Sequence, residues 1–193
     1  MKKEFAMAVL LLALGTAGNL AAAANPQGKM AEKPTFAAVL NGYLSHVEQE
    51  MVAAAEAMPE AKYNFAPTQG EFKGVRSFAQ QVKHMATANY MFGAAILQEK
   101  PPVDLGGENG PGNITSKADI VKFLQDSFAY LHKAMSSVNE NNILEEVPSP
   151  FGNNKMPRLT LVNIALSHPF DHYGQMVEYL RMNDIIPPAS RRH

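Results

Sequence analysis

Apolar side chains return every three or four residues in four separate stretches of this chain, the period of an α-helix that buries one face. The first helix is predicted over residues 35–58, where Phe36, Val39, Leu40, Tyr43, Leu44, Val47 and Met51 form the stripe between Pro34 and Pro59. The second is predicted over residues 75–98. Val75, Phe78, Val82, Ala86, Asn89, Gly93 and Ile96 make one face, and Ser77, His84, Ala88, Met91 and Ala95 make the other. A helix poor in charge on both sides is expected to be covered on both. Thr115 or Ser116 can cap the third helix, Asp119 suits its first turn, and Ile120, Leu124, Phe128, Leu131 and Met135 form its stripe. The polar run 139–142 ends it. The fourth helix is predicted over residues 157–182, with Pro157 in the first turn, where a missing N–H is no loss.

Between these stretches lie segments rich in turn residues: 63–74 with Pro67 and Gly70, 101–113 with Pro101, Pro102, Gly106, Gly107, Gly110, Pro111 and Gly112, and a third with Pro148, Pro150 and Gly152. No strand-like alternation of any length appears, and no repeat. The pattern predicts an all-α four-helix bundle spanning residues 35–190. The long connections are compatible with simple up-down order or with a crossover.

The first residues follow a different logic. Lys2 and Lys3 precede an apolar run over residues 6–14, and Ala22, Ala23 and Ala24 follow it. This is the layout of a signal peptide over residues 1–24, with residues 25–34 a flexible segment before the bundle. The expected location is therefore secreted or periplasmic. No other apolar run is long enough to span a bilayer.

Charge and cysteine content narrow the chemistry. Lys and Arg number 17 against 18 Asp and Glu, and no basic stripe is present, so nucleic acid is not an expected partner. The chain has no cysteine. That removes disulfides, thiolate nucleophiles and thiolate metal ligands, and leaves any metal to histidines and carboxylates.

His168 and His172 stand four residues apart on the fourth helix. Such residues are separated by about 40° around the helix and about 6 Å along it, so two imidazoles can converge on one ion at about 2.0–2.1 Å from each nitrogen. Leu161, Ala165, Met176 and Tyr179 project on the same side. Histidines on a buried stripe are costly unless their nitrogens are satisfied. One metal does this for both; separate hydrogen bonds in the core, or a stripe turned to solvent, are the other solutions. Pro169 deletes one backbone hydrogen bond beside His168 and is expected to bend the helix. His84, mid-helix among small residues, is the best third ligand. His46 and His132 sit at the edges of their stripes as ordinary boundary residues, and His193 is terminal.

The segment Ser167-His168-Pro169-Phe170-Asp171-His172-Tyr173-Gly174-Gln175, then Glu178-Tyr179-Leu180-Arg181-Met182-Asn183 and Pro187-Pro188-Ala189-Ser190, resembles the end of the DinB-like superfamily. So does the earlier segment Phe78-Ala79-Gln80-Gln81-Val82-Lys83-His84-Met85-Ala86. The resemblance implies a four-helix bundle with a metal site built from one histidine of the second helix and an H-x3-H pair of the last. The matching positions are His84, His168 and His172. Asp184 stands where a glycine often follows the Tyr-Leu-Arg stretch.

Three neutral histidines leave coordination positions for water or substrate. The ion can then generate a nucleophilic water or hold a substrate thiolate, which is how thiol-using members of the resembled family are thought to work. The expected function is thus a divalent-metal protein, a thiol S-transferase or a hydrolase acting on a small molecule. The alternative is a non-enzymatic metal- or ligand-binding protein of the cell envelope. Imidazoles suit zinc, nickel, copper or iron. No general base is evident: Asp171 points about 100° away from its neighbour His172, and Glu50 and Glu71 could approach from the first helix and its loop, with nothing in their spacing to require it. Helices with two apolar faces favour self-association, so a homodimer is a further expectation. N-terminal sequencing of the exported protein should find Asn25 as the first residue, within a few positions; retention of Lys2 and Lys3 in the exported protein would refute the cleavage.

Overall fold

The computed structural model describes residues 33–191 apart from 69 and 73. The proposed signal peptide, most of the 25–34 segment, and His193 lie outside the described residues.

Three of the four helices begin where a hydroxyl side chain can satisfy a free N–H group. Helix α1, Phe36–Ala57, starts after Thr35, whose side chain accepts from Ala38 N at 3.1 Å. Helix α2 is Phe78–Leu97, three residues shorter at its start than the apolar pattern suggests. Ser77 and Gln80 form a reciprocal capping box there, which leaves Val75 exposed in the preceding turn. Of the two possible caps for α3, Lys117–Ser136, the structure uses Ser116. Helix α4, Arg158–Arg181, runs without interruption through Pro169, whose missing N–H deprives the Ala165 carbonyl of its helical partner. Asp184, just past α4, has φ 59°, a left-handed conformation that a glycine adopts without strain.

One element was not visible in the apolar pattern. Strands β1, Glu146–Pro148, and β2, Lys155–Pro157, form a short antiparallel hairpin with Val147 opposite Met156. Pro157 therefore closes β2 and stands before α4 rather than in its first turn. The N–H groups of Arg158 and Leu159 are taken by the carbonyls of Glu145 and Ile143. The buried Arg158 guanidinium reaches the carbonyls of Ile96 and Asn142, tying the ends of α2 and α3 to the start of α4.

The bundle's connectivity follows from which residues meet. Helices α1 and α2 each pack against α3 and α4, so α1 lies diagonally from α2, and α3 from α4. Asn41 bonds Ser136 and Lys117 bonds the carbonyl of Glu56, so α1 and α3 are antiparallel. Gln81 meets Gln175 while Ile96 meets Arg158, so α2 and α4 are antiparallel too. Along α2 and α3, however, Asn89 meets Ser127 and Glu99 meets Lys133: these two neighbours run in the same direction. Leu44, Met51, Phe78, Phe92, Phe128 and Leu131 are among the fully or nearly fully buried side chains between the four helices.

Parallel neighbours need a connection that returns the length of the bundle, and residues 98–116 provide it. Thr87 Oγ1 donates to Leu105 O (3.2 Å), and Lys83 Nζ to Pro111 O (3.0 Å) and Ile114 O (3.2 Å). The segment thus descends α2 as its own numbering rises. It lies so close that a Cβ on Gly110 would stand 2.6 Å from Lys83 Cβ, and Gly110 also has φ +76°. Substituting Gly110→Ala is expected to destabilise the protein by more than about 1 kcal/mol, from steric conflict and a disfavoured φ together. Chemical denaturation of the two forms measures this; equal midpoints would refute so close an approach.

Candidate metal centre

Two helices and the returning segment meet at three imidazoles. His84 comes from the middle of α2, and His168 and His172 from consecutive turns of α4. One ring nitrogen from each lies within 4.8 Å of the other two. The ring centroids are 4.6 Å apart for His84–His172 and His168–His172, and 5.4 Å for His84–His168. His46 is exposed, and His132 instead links α1 to α3 through Asn41 (2.6 Å) and Glu48 (3.1 Å).

Hydrogen bonds at the far side of two rings decide which nitrogens remain free. Gln81 Nε2 donates to Gln175 Oε1 at 2.6 Å, which turns the Gln81 carbonyl oxygen toward His172. That oxygen can only accept, so His172 donates through Nδ1–H at 2.7 Å and keeps a bare lone pair on Nε2. His84 Nδ1–H donates to the Glu108 carbonyl of the returning segment at 2.6 Å, which leaves its Nε2 bare in the same way. His172 Nε2 faces His168 Nε2 at 3.2 Å. Two nitrogens on one tetrahedral ion at about 2.0–2.1 Å stand about 3.3 Å apart. The spacing therefore fits a shared cation, and partners that fix a histidine's tautomer from behind are the usual support of such a ligand. His168 Nδ1 is buried with no partner among the described residues, so this ring is held by packing against Phe92 (5.6 Å, near-perpendicular).

The imidazoles are kept neutral. Burial, reinforced by His168 and His84, pushes His172 down to about 4. Burial and then His84 lower His168; burial, with Arg76 adding to it, lowers His84 against the opposing pull of Glu108. The carboxylates acting on the three rings are Asp171 and Glu108. Neither of the carboxylates expected to approach from α1 and its loop does so. Glu50 takes a hydrogen bond from Tyr173 and, after burial, helps raise that phenol to about 12, and Glu71 is exposed on the loop before α2.

Two clefts flank the cluster. One, of about 460 Å³, has His84 and His168 in its wall with Met91, Phe92, Leu105, Phe151 and Ile164. The other contains Arg76, Gln80, Gln81, Asn109 and Gln175 and none of the histidines. Glu108 borders both; its carboxylate pairs with Arg76 at 3.1 Å and is 88% exposed. The periodicity of the chain does not reveal Gln81, Gln175 or the Glu108 carbonyl as partners of the site. The only signal was their spacing: Gln81 lies three residues before His84 and Gln175 three after His172.

Residues 43–176 match the family model of the DinB superfamily, a span that holds all three histidines. The fold is similar to the crystal structure of a DinB-like protein from Bacillus cereus ATCC 10987, with TM-score 0.60 and 16% identity over 80% of this chain and 96% of that one. It is also similar to the crystal structure of a DinB-like protein from Bacillus subtilis, with TM-score 0.57 and 18% identity over 80% of this chain and 99% of that one. No curated protein matches the sequence.

The depressed histidines make stability depend on pH. In the unfolded chain imidazole titrates near about 6.5, whereas His172 in the fold takes a proton only near about 4. The unfolded state therefore binds more protons throughout this window, and stability falls as pH falls through it. Chelator-treated protein should lose about 1–2 kcal/mol between pH 7 and pH 5 from His172 alone, and His172→Gln should lose correspondingly less. Denaturant melts at the two pH values decide it; an unchanged or rising stability at pH 5 would contradict the buried neutral state.

Proposed function

Because the chain belongs to the DinB superfamily and gathers His84, His168 and His172 at one point, we propose that it binds one divalent transition metal, zinc, nickel or iron, and uses it on a small molecule. The observation that carries this reading is the tautomer arrangement. Two of the three rings spend Nδ1–H on fixed acceptors and aim bare Nε2 atoms inward, at a spacing that suits one ion. An ion held there supplies a Lewis acid with coordination positions left for a ligand.

Of the two reactions expected for such a site, thiol transfer has the better support. Hydrolysis calls for a group that accepts a proton from the attacking water, and Glu108, the only carboxylate among the described residues that borders the histidine-lined cleft, is turned to Arg76. A thiol needs less help, because its proton is lost readily beside a cation. The chain's own part is then to hold the histidines neutral, fix their orientation through Gln81 and Glu108, and shelter the reacting groups between α2 and α4. The same lack of a base favours a second reading, a non-enzymatic metal- or ligand-binding protein. The basic, apolar and small-residue run over residues 1–24 supports placing either in the periplasm or outside the cell. Among the described residues no helix is long and apolar enough to cross a membrane.

Elemental analysis of the purified protein should find one metal ion per chain. His84→Ala, His168→Ala and His172→Ala should each abolish it, and Gln81→Leu should keep the ligands but weaken affinity by about 10–100-fold. Full metal content in His84→Ala would overturn the site. Turnover of a thiol-plus-electrophile panel by the metal-loaded protein would establish the transferase; metal bound without turnover of thiols or esters would favour the binding protein.

A further inference from the structure

The cleft beside the histidines has a chemistry of its own. Met91 and Phe92 from α2, Ile164 from α4, Leu105 from the returning segment and Phe151 from the β1–β2 turn supply apolar surface. Apart from His168, its polar side chains are already engaged. The Thr87 hydroxyl gives its proton to Leu105 O, His84 gives its Nδ1–H to Glu108 O, and the Glu108 carboxylate pairs with Arg76. Among the described residues no Lys or Arg lines it.

The aromatic groups form a connected wall. His168 meets Phe92 edge to face at 5.6 Å, and Phe92 meets Phe151 at 5.9 Å and 61°. Phe151 stands at the rim, 61% exposed, with its ring available to an apolar group that enters the cleft. The polar cleft on the other side does not offer a second route. No histidine among the described residues lines it, so a charged ligand held there beside Arg76 meets the Gln81–Gln175 amides rather than imidazoles.

Resting on the metal reading above, we propose that the ligand reaching the histidine cluster is uncharged and apolar away from its metal-binding group, and carries an aromatic or similarly flat ring against Phe92 and Phe151. Small, highly anionic molecules are the class this cleft rejects most strongly, because burying their charge against Met91, Leu105 and Ile164 meets no compensating cation among the described lining residues. The volume, about 460 Å³, is in the range of small-molecule sites.

Three probes that share one metal-binding head test this. The full-length purified protein is loaded with zinc, uptake is measured, and acetohydroxamate, benzohydroxamate and 4-carboxybenzohydroxamate are titrated calorimetrically. Benzohydroxamate should bind at least about tenfold more tightly than acetohydroxamate, from the ring area removed from water. The carboxylate on the ring should cancel most of that gain. Phe151→Ala, at the rim and paired with Phe92 rather than with a histidine, should reduce the benzohydroxamate preference severalfold and leave acetohydroxamate affinity unchanged. Zinc uptake with equal affinities, or with the carboxylated ring bound most tightly, would overturn the inference and leave the metal site standing. Failure to take up zinc, nickel or iron would overturn the metal reading itself.

Discussion

Helices α2 and α3 lie side by side and point the same way, and much of this structure follows from that. Antiparallel neighbours can be joined by a few residues. Parallel ones need a chain that travels back along about 30 Å of helix, at about 1.5 Å per residue over 20 residues. The return takes its route over α2, where Thr87, His84 and Lys83 bond successive carbonyls of the passing backbone. Gly110 marks the closest approach. A connection that topology demands has thereby become a wall of the cleft and the partner of a histidine.

The three imidazoles depend on that enclosure. Water at their outer nitrogens would let each ring choose its tautomer and take a proton. Instead a backbone carbonyl holds His84, a glutamine held by a second glutamine holds His172, and burial keeps all three below their ordinary basicity. His168 is the exception. With its Nδ1 orphaned and its Nε2 3.2 Å from another imidazole nitrogen, it makes sense chemically when something positive lies between the two rings. The preorganisation resides in groups that do not themselves touch the centre of the cluster.

The helices were legible in the chain because each buries one stripe, and stripes repeat. Thr35, Ser77 and Ser116 cap the helices they precede for reasons that operate within a few residues. The convergence of His84 with the H-x3-H pair could be read because the spacing of the pair is local and the resemblance carried the third position. What stayed hidden was non-local. Three-residue strands are too short to alternate, so the β1–β2 hairpin left no pattern, and Pro157 was assigned to the helix it only precedes. The direction of α3 relative to α2 is not written in the length of a loop. Gln81 reads as any other polar helical residue until α4 is packed opposite it. Glu50 is turned by a residue of another helix, Tyr173 of α4, and Glu71 stays exposed on its loop.

The hairpin has one more consequence. Its strands are anchored by the buried Val147, but Phe151 sits in the turn between them, outside the four helices, and meets the histidine His168 only through Phe92. Residues in such a turn can be exchanged or lengthened without disturbing the packing that orients the imidazoles. The protein is in this sense modular at its mouth. What reaches the cleft can be altered at its mouth while the packing of the centre at its base is left in place.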